Sequence, residues 1–218
     1  MRPSIIPHTE VLMITKRNLL LIALLLSAVA LPVCGQDYKE ESARLTQILD
    51  WHAGSIVAEI GAGAGEMTLD AASRVGPTGH VYSTEVDNKK IAHLKELAAD
   101  EKDHNITVIE GSQSGTHLPP ECCDSIYMRR VYHHFTEPQT MDASLFQSLK
   151  PGGMLAVIDF PPRAGLPAVE GVPANRGGHG MPKDILIQEL TATGFQLVSE
   201  PADWPNDNYC VIFRKPEK

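Results

Sequence analysis

Glu59, Gly61, Gly63 and Gly65, spaced every second residue at the end of the apolar run from Val57, are the first residues that point to chemistry. Glycines at alternate positions let the backbone turn sharply and approach a ligand without a β-carbon in the way, which is how a strand feeds a nucleotide-binding loop. Further along, Arg129-Arg130-Val131-Tyr132-His133-His134-Phe135 brings two adjacent imidazoles behind another apolar run. Histidine titrates near neutrality, so either ring can take a proton from a reacting group.

The charge around the glycines restricts the ligand. A dinucleotide fingerprint would want a glycine or alanine where Glu66 stands, and a carboxylate at the start of the next helix would repel a pyrophosphate. An NAD(P)-dependent oxidoreductase, the first alternative, is disfavoured on that ground. A nucleoside carrying positive charge fits better, and Glu59 would attract it. Glu59-x-Gly61-x-Gly63-x-Gly65 resembles the first motif of class I S-adenosylmethionine-dependent methyltransferases. The resemblance extends over about residues 38–215.

It implies roles for particular residues. Glu85, after the strand His80–Thr84, would accept hydrogen bonds from both ribose hydroxyls of S-adenosylmethionine. Relatives carry an acid after the glycine of Glu110-Gly111; Ser112 and Gln113 stand there instead and are the candidates for the adenine amino group. The segment from Arg129 to Phe135 matches the stretch that lines cofactor and acceptor, which puts Arg130 near the cofactor and Tyr132, His133 and His134 near the reacting atoms. Asp159 at a strand end and His179 in a Gly/Pro-rich loop are candidates for the acceptor pocket. Methyl transfer is an in-line displacement, so alignment supplies most of the catalysis.

These side chains need a scaffold, and the periodicity supplies one. A helix over 38–50, strands at Val57–Ile60, His80–Glu85, Ile106–Ile109, Asp124–Met128 and Met154–Ile158, and helices over 67–74, 87–100 and 141–149 alternate in the order that demands a mainly parallel sheet. Asp87 is placed to cap its helix. A helix over 182–193 and strands at Phe195–Val198 and Tyr209–Phe213 close the chain. The expected fold is a three-layer α/β sandwich on a seven-stranded, mainly parallel Rossmann-like sheet.

A chain of 218 residues and 43% hydrophobic content accommodates one such domain, assigned to residues 36–218. Residues 1–35 read as a secretory leader: Lys16-Arg17, an apolar stretch from Leu19 to Val33, then small residues, with cleavage after Ala30 or Gly35. Met13 is a plausible true start, leaving 1–12 as a mis-assigned extension. An uncleaved leader would anchor the domain to a membrane with the same outward orientation. Either way the enzyme would be exported, periplasmic or secreted, away from the cytoplasmic source of its methyl donor; a misread leader would leave it cytoplasmic.

A formal charge of −8 argues against nucleic acid as a partner. Adjacent histidines and cysteines lack metal-ligand spacing, so no metal is expected. Cys122 and Cys123 are neighbours, which strains a bridge between them, and Cys210 sits in an apolar run; free thiols are favoured. The expected activity is transfer of a methyl group to a small-molecule or lipid-like acceptor. A non-catalytic exported domain that keeps the fold and binds the cofactor is the second alternative.

Overall fold

A computed structural model describes residues 37–217; the leader assigned to residues 1–35 lies outside the described residues. In chain order the elements are α1 (Asp37–Ile48), β1 (Ile56–Ile60), α2 (Glu66–Val75), β2 (His80–Glu85), α3 (Asn88–Asp100), β3 (Ile106–Glu110), β4 (Cys123–Arg129), α4 (Pro138–Ser148), β5 (Leu149–Asp159), α5 (Lys183–Thr193), β6 (Gln196–Ser199) and β7 (Tyr209–Arg214). Single 3-10 turns occupy Tyr132–His134 and Ala174–Arg176.

The seven strands form one sheet in the order β3-β2-β1-β4-β5-β7-β6. Neighbours are parallel from β3 to β5, and β7 enters antiparallel between β5 and β6. The order reverses direction between β1 and β4, the place in an open α/β sheet where a crevice forms beyond the strand ends. The expected sheet is present, and element limits differ from those read in the sequence by a few residues. Strand β5 is the largest difference, beginning at Leu149, which pairs with Cys123 before an irregular step through Gly152 (φ +79°) to the regular pairing at Met154.

Side chains alternate across the sheet with a period of two, and each face has its own core. On one face Val57, Val81, Tyr127, Ala156 and Ile158 pack with Leu45 of α1 and Ala71 and Val75 of α2. On the other, Ala58, Ile126, Met128, Leu155 and Val157 pack with Leu145 of α4 and Leu186 and Leu190 of α5. Asp87 caps α3 as expected, its Oδ1 accepting the Lys89 and Lys90 amides at 2.9 and 3.0 Å. No helix among the described residues is long and apolar enough to cross a membrane.

The long segment from Pro161 to Pro182 is fastened by Arg176, which is 1% exposed. Its guanidinium donates to Phe135 O at 2.7 Å, Tyr132 O at 3.2 Å and Glu189 Oε2 at 3.0 Å. It also lies over the Tyr132 ring, 4.8 Å from its centre. One buried cation therefore joins this loop to the turn after β4 and to α5.

Candidate active site

The C-terminal ends of β1, β2 and β4, with the loops that follow them, enclose a cavity of about 470 Å³. That is ample for a small cofactor and part of an acceptor. Of the residues expected to form a site, Gly61, Gly63, Glu85, Ser112, Gln113, Arg130 and His134 line it. Its walls are mixed, with Val86, Val131, Phe135 and Met141 among the apolar contributors.

Glu85 organises the cofactor end. Its Oε2 accepts the Gly63 amide at 3.0 Å, and Oε1 accepts the amides of Val86 and Asp87 at 2.8 and 3.2 Å. The carboxylate thus ties the glycine loop to the end of β2 and still has lone pairs for hydroxyl donors from the cavity. A β-carbon at Gly63 would meet nothing within 4 Å. This open space above the loop is where a ligand can lie against bare backbone.

The other glycines serve packing. A β-carbon on Gly65 would stand 2.8 Å from Leu94 and 2.9 Å from Leu97, so this residue sets the approach of the α2 N-terminus to α3 and does not line the cavity. At Gly61 a β-carbon would come within 2.5 Å of Val131, which itself forms part of the wall.

Glu59 departs most from expectation. It shares its face with Val57, away from the cavity, and is buried against α2, where the Thr68 hydroxyl donates to its carboxyl. Burial pushes it up to about 7. Asp142, buried beneath Tyr132 on the other face of the sheet, is likewise pushed up to about 7 by burial. A carboxyl that binds its proton more tightly when folded stabilises the fold fully below the unfolded pKa and loses that contribution as pH rises through the folded value. Stability should therefore fall as pH rises to about 7, from about 4.5 for Glu59 and from 3.8 for Asp142, by on the order of 1–3 kcal/mol for each carboxyl. Urea unfolding at pH 5 and pH 8 measures the slope. Glu59→Gln should flatten it; a variant with the wild-type slope would remove Glu59 as a cause.

At the end of β4, Arg129 and Arg130 turn the chain into the cavity wall. Arg130 holds a φ of +56°, a conformation that costs a non-glycine residue about 1 kcal/mol or more. Its amide donates to Ile158 O at 2.7 Å and its Nε to Asn208 Oδ1 at 3.0 Å. Arg129 Nε donates to Glu41 of α1, a carboxyl with no exposed surface that also accepts Asn208 Nδ2 at 2.9 Å and Trp204 Nε1 at 3.2 Å. Thus one buried acid aligns both arginines.

The two adjacent histidines separate into different roles. His133 is buried, and Asp159, with no exposed surface, grips it twice: Oδ2 accepts the His133 amide at 3.0 Å, and Oδ1 lies 2.8 Å from Nδ1. Neither residue lines the cavity. His134 does, with its ring 4.0 Å from that of His133. Desolvation and the neighbouring His133 hold His134 below the usual imidazole range, which keeps its ring neutral and ready to accept a proton near pH 7. His179 stacks nearby, 5.3 Å from the His133 ring centre, but outside the cavity lining.

Tyr132 is fully buried, and its hydroxyl lies 2.9 Å from Asp142 Oδ2 and 3.0 Å from Glu189 Oε2. Burial pushes its phenol upward, so it belongs to the Arg176 anchor and not to the reacting surface. Tyr132, His133 and Asp159 therefore support the wall from behind. Lining residues without a signal in the sequence include Val86, half exposed at the cavity rim, and Val169 and Glu170 from the loop that Arg176 fastens. Among the described residues no cluster of three or more His, Cys, Asp or Glu has the geometry of a metal site.

Residues 57–153 match the family model described as a methyltransferase domain. A demethylmenaquinone methyltransferase of Listeria monocytogenes is 22% identical over 122 residues, 56% of this chain and 50% of that protein. A ubiquinone/menaquinone biosynthesis C-methyltransferase of Marinomonas is 25% identical over 109 residues, 50% of this chain and 43% of the relative. The chain thus spans about half the length of these curated relatives. The structure of an S-adenosylmethionine-dependent methyltransferase from Aquifex aeolicus superposes with a TM-score of 0.64, covering 79% of this chain and 87% of that one at 22% identity.

Proposed function

We infer, from the match to the methyltransferase-domain model and the likeness to S-adenosylmethionine-dependent methyltransferases, that this chain is a class I methyltransferase that transfers a methyl group to a small-molecule or lipid-like acceptor. The carrying observation is the glycine loop tied to Glu85 beside a cavity that also contains His134. The residues present fit the cofactor. Gly63 leaves room for a ligand on backbone, Glu85 offers lone pairs to a ribose diol, and Val86 at the rim offers an apolar surface to a base. Glu66 opens α2, so the helix end that would receive a pyrophosphate carries a carboxylate, against the oxidoreductase alternative.

S-adenosylmethionine, when bound, supplies a methyl carbon made electrophilic by its sulfonium. The chain's contribution is alignment and proton removal. Glu85 fixes the nucleoside end, while Arg130 and Ser112 bound the cavity on other sides. His134 accepts the proton that an acceptor hydroxyl, amine or activated carbon must lose, and the His133–Asp159 pair holds the turn that presents it. The apolar part of the lining, Val131, Phe135 and Met141, and the quinone-directed names of the relatives both support a lipophilic acceptor.

Calorimetric titration of the full chain with S-adenosylhomocysteine should give one site per chain, with no heat from NAD. Absence of any S-adenosylhomocysteine binding would overturn the reading. His134→Ala should lower transfer of labelled methyl into an organic-extractable lipid pool by roughly 10²–10⁴-fold with cofactor affinity within about twofold. Cofactor binding with no transfer to any extract would instead favour the non-catalytic domain.

Export belongs to the same proposal and rests on the basic-then-apolar order of residues 16–33. A fusion of residues 1–40 to a reporter active only outside the cytoplasm should be active, and an inactive fusion would assign the domain to the cytoplasm.

A further inference from the structure

Cys122 and Cys123 lie at the end of the sheet opposite the cavity, where β4 begins. Their Sγ atoms are 2.6 Å apart, in direct contact. Cys122 is partly exposed and Cys123 is buried. The third described thiol, Cys210, is buried in the core on the other face of the sheet from Cys123, so it cannot serve as the partner of either. Strand pairing is interrupted at this point: Cys123 faces Leu149, and regular pairing resumes only at Ser125 with Met154. The backbone here is not locked into a continuous ladder.

We propose that Cys122 and Cys123 form a reversible vicinal dithiol–disulfide couple, a site of two-electron exchange with small disulfides that is separate from the methyl-transfer cavity. Cys122 is the entry thiol because it alone of the two is reachable. The hydrogen bond from Cys123 and, to a lesser extent, the positive Lys150 side chain favour its thiolate, whereas donating that bond and burial raise Cys123. The Cys122 thiolate attacks one sulfur of the small disulfide and expels one thiolate, leaving a mixed disulfide. Cys123 then gives up its proton and attacks Cys122 Sγ, expelling the second thiolate. One disulfide has been reduced to two thiols, and two protein thiols have been oxidised to one disulfide.

Neighbouring residues joined by a trans peptide hold their Cα atoms about 3.8 Å apart, short of the ~4.4–6.8 Å that unstrained disulfides span. The closed ring is therefore strained and readily reduced, which suits an exchanging couple better than a structural bond.

The full chain, first reduced, is equilibrated with mixtures of reduced and oxidised glutathione, quenched, alkylated and digested with trypsin. Residues 103–129 contain Cys122 and Cys123, no other cysteine and no internal Lys or Arg, so one peptide reports the pair. In the oxidised mixtures this peptide should lose both alkylatable thiols and become lighter by two hydrogens than the reduced peptide. Dithiothreitol should restore it. Cys123→Ser should stop at a single glutathione adduct on Cys122. Two alkylated thiols under every mixture, a lasting glutathione adduct on wild-type Cys122, or disulfide-linked dimers would each overturn the proposal. The readout is a mass and does not depend on methyl transfer.

Discussion

Glu85→Ala should weaken S-adenosylhomocysteine binding by on the order of 100-fold, about 3 kcal/mol. Two effects combine. The variant loses charge-assisted bonds to a ribose diol, worth about 1.5–3 kcal/mol each at most. It also frees the amides of Gly63, Val86 and Asp87, which the carboxylate now holds at 2.8–3.2 Å, so the loop is no longer preorganised. Glu85→Gln separates the two, because its amide oxygen can still accept from part of that set; it should fall between wild type and alanine. Calorimetry gives the affinities, and an alanine variant within threefold of wild type would remove Glu85 from the cofactor site.

Glu41→Ala should destabilise the domain by about 3 kcal/mol, the lower end of what breaking a buried ion pair costs, because Arg129 keeps some exposure to water. The carboxyl has no exposed surface and three side-chain donors, and its removal leaves Trp204 Nε1 and Asn208 Nδ2 without their acceptor. Urea unfolding tests this. A second consequence follows at the cavity, since Arg129 lines it directly and Asn208 orients Arg130. The variant should lose more affinity for S-adenosylhomocysteine, with its charged amino-acid end, than for 5′-methylthioadenosine, which lacks that end. Equal losses for both ligands would reduce Glu41 to a purely structural residue.

The scaffold was legible because it is written in local periodicities. Apolar runs ending in Glu59, Glu85 and Glu110, the first two each followed by a helical pattern, dictate a parallel sheet whose strand ends share one edge. The position of Glu85 followed from that rule. The direction of Glu59 was also present in the alternation: it stands two residues from Val57, so both point to the same core, and the acid-plus-glycine motif drew attention from this parity. The division between His133 and His134 was not legible, because it depends on Asp159, 26 residues away on another strand. Likewise Arg129 meets Glu41 across 88 residues, and Val169 and Glu170 reach the cavity only because Arg176 pins a loop that carries no regular pattern.

The three glycines after Glu59 are under unequal constraint, and this bears on how the motif would drift. A lineage that abandoned the ligand would still need Gly65 and Gly61, whose missing β-carbons are required by Leu94, Leu97 and Val131. Gly63 alone would be released, limited only by its left-handed backbone (φ +60°), which asparagine or aspartate tolerates. Decay of the pair Gly63 and Glu85 would therefore mark a retired enzyme, whereas persistence of the outer glycines would say only that the fold survives.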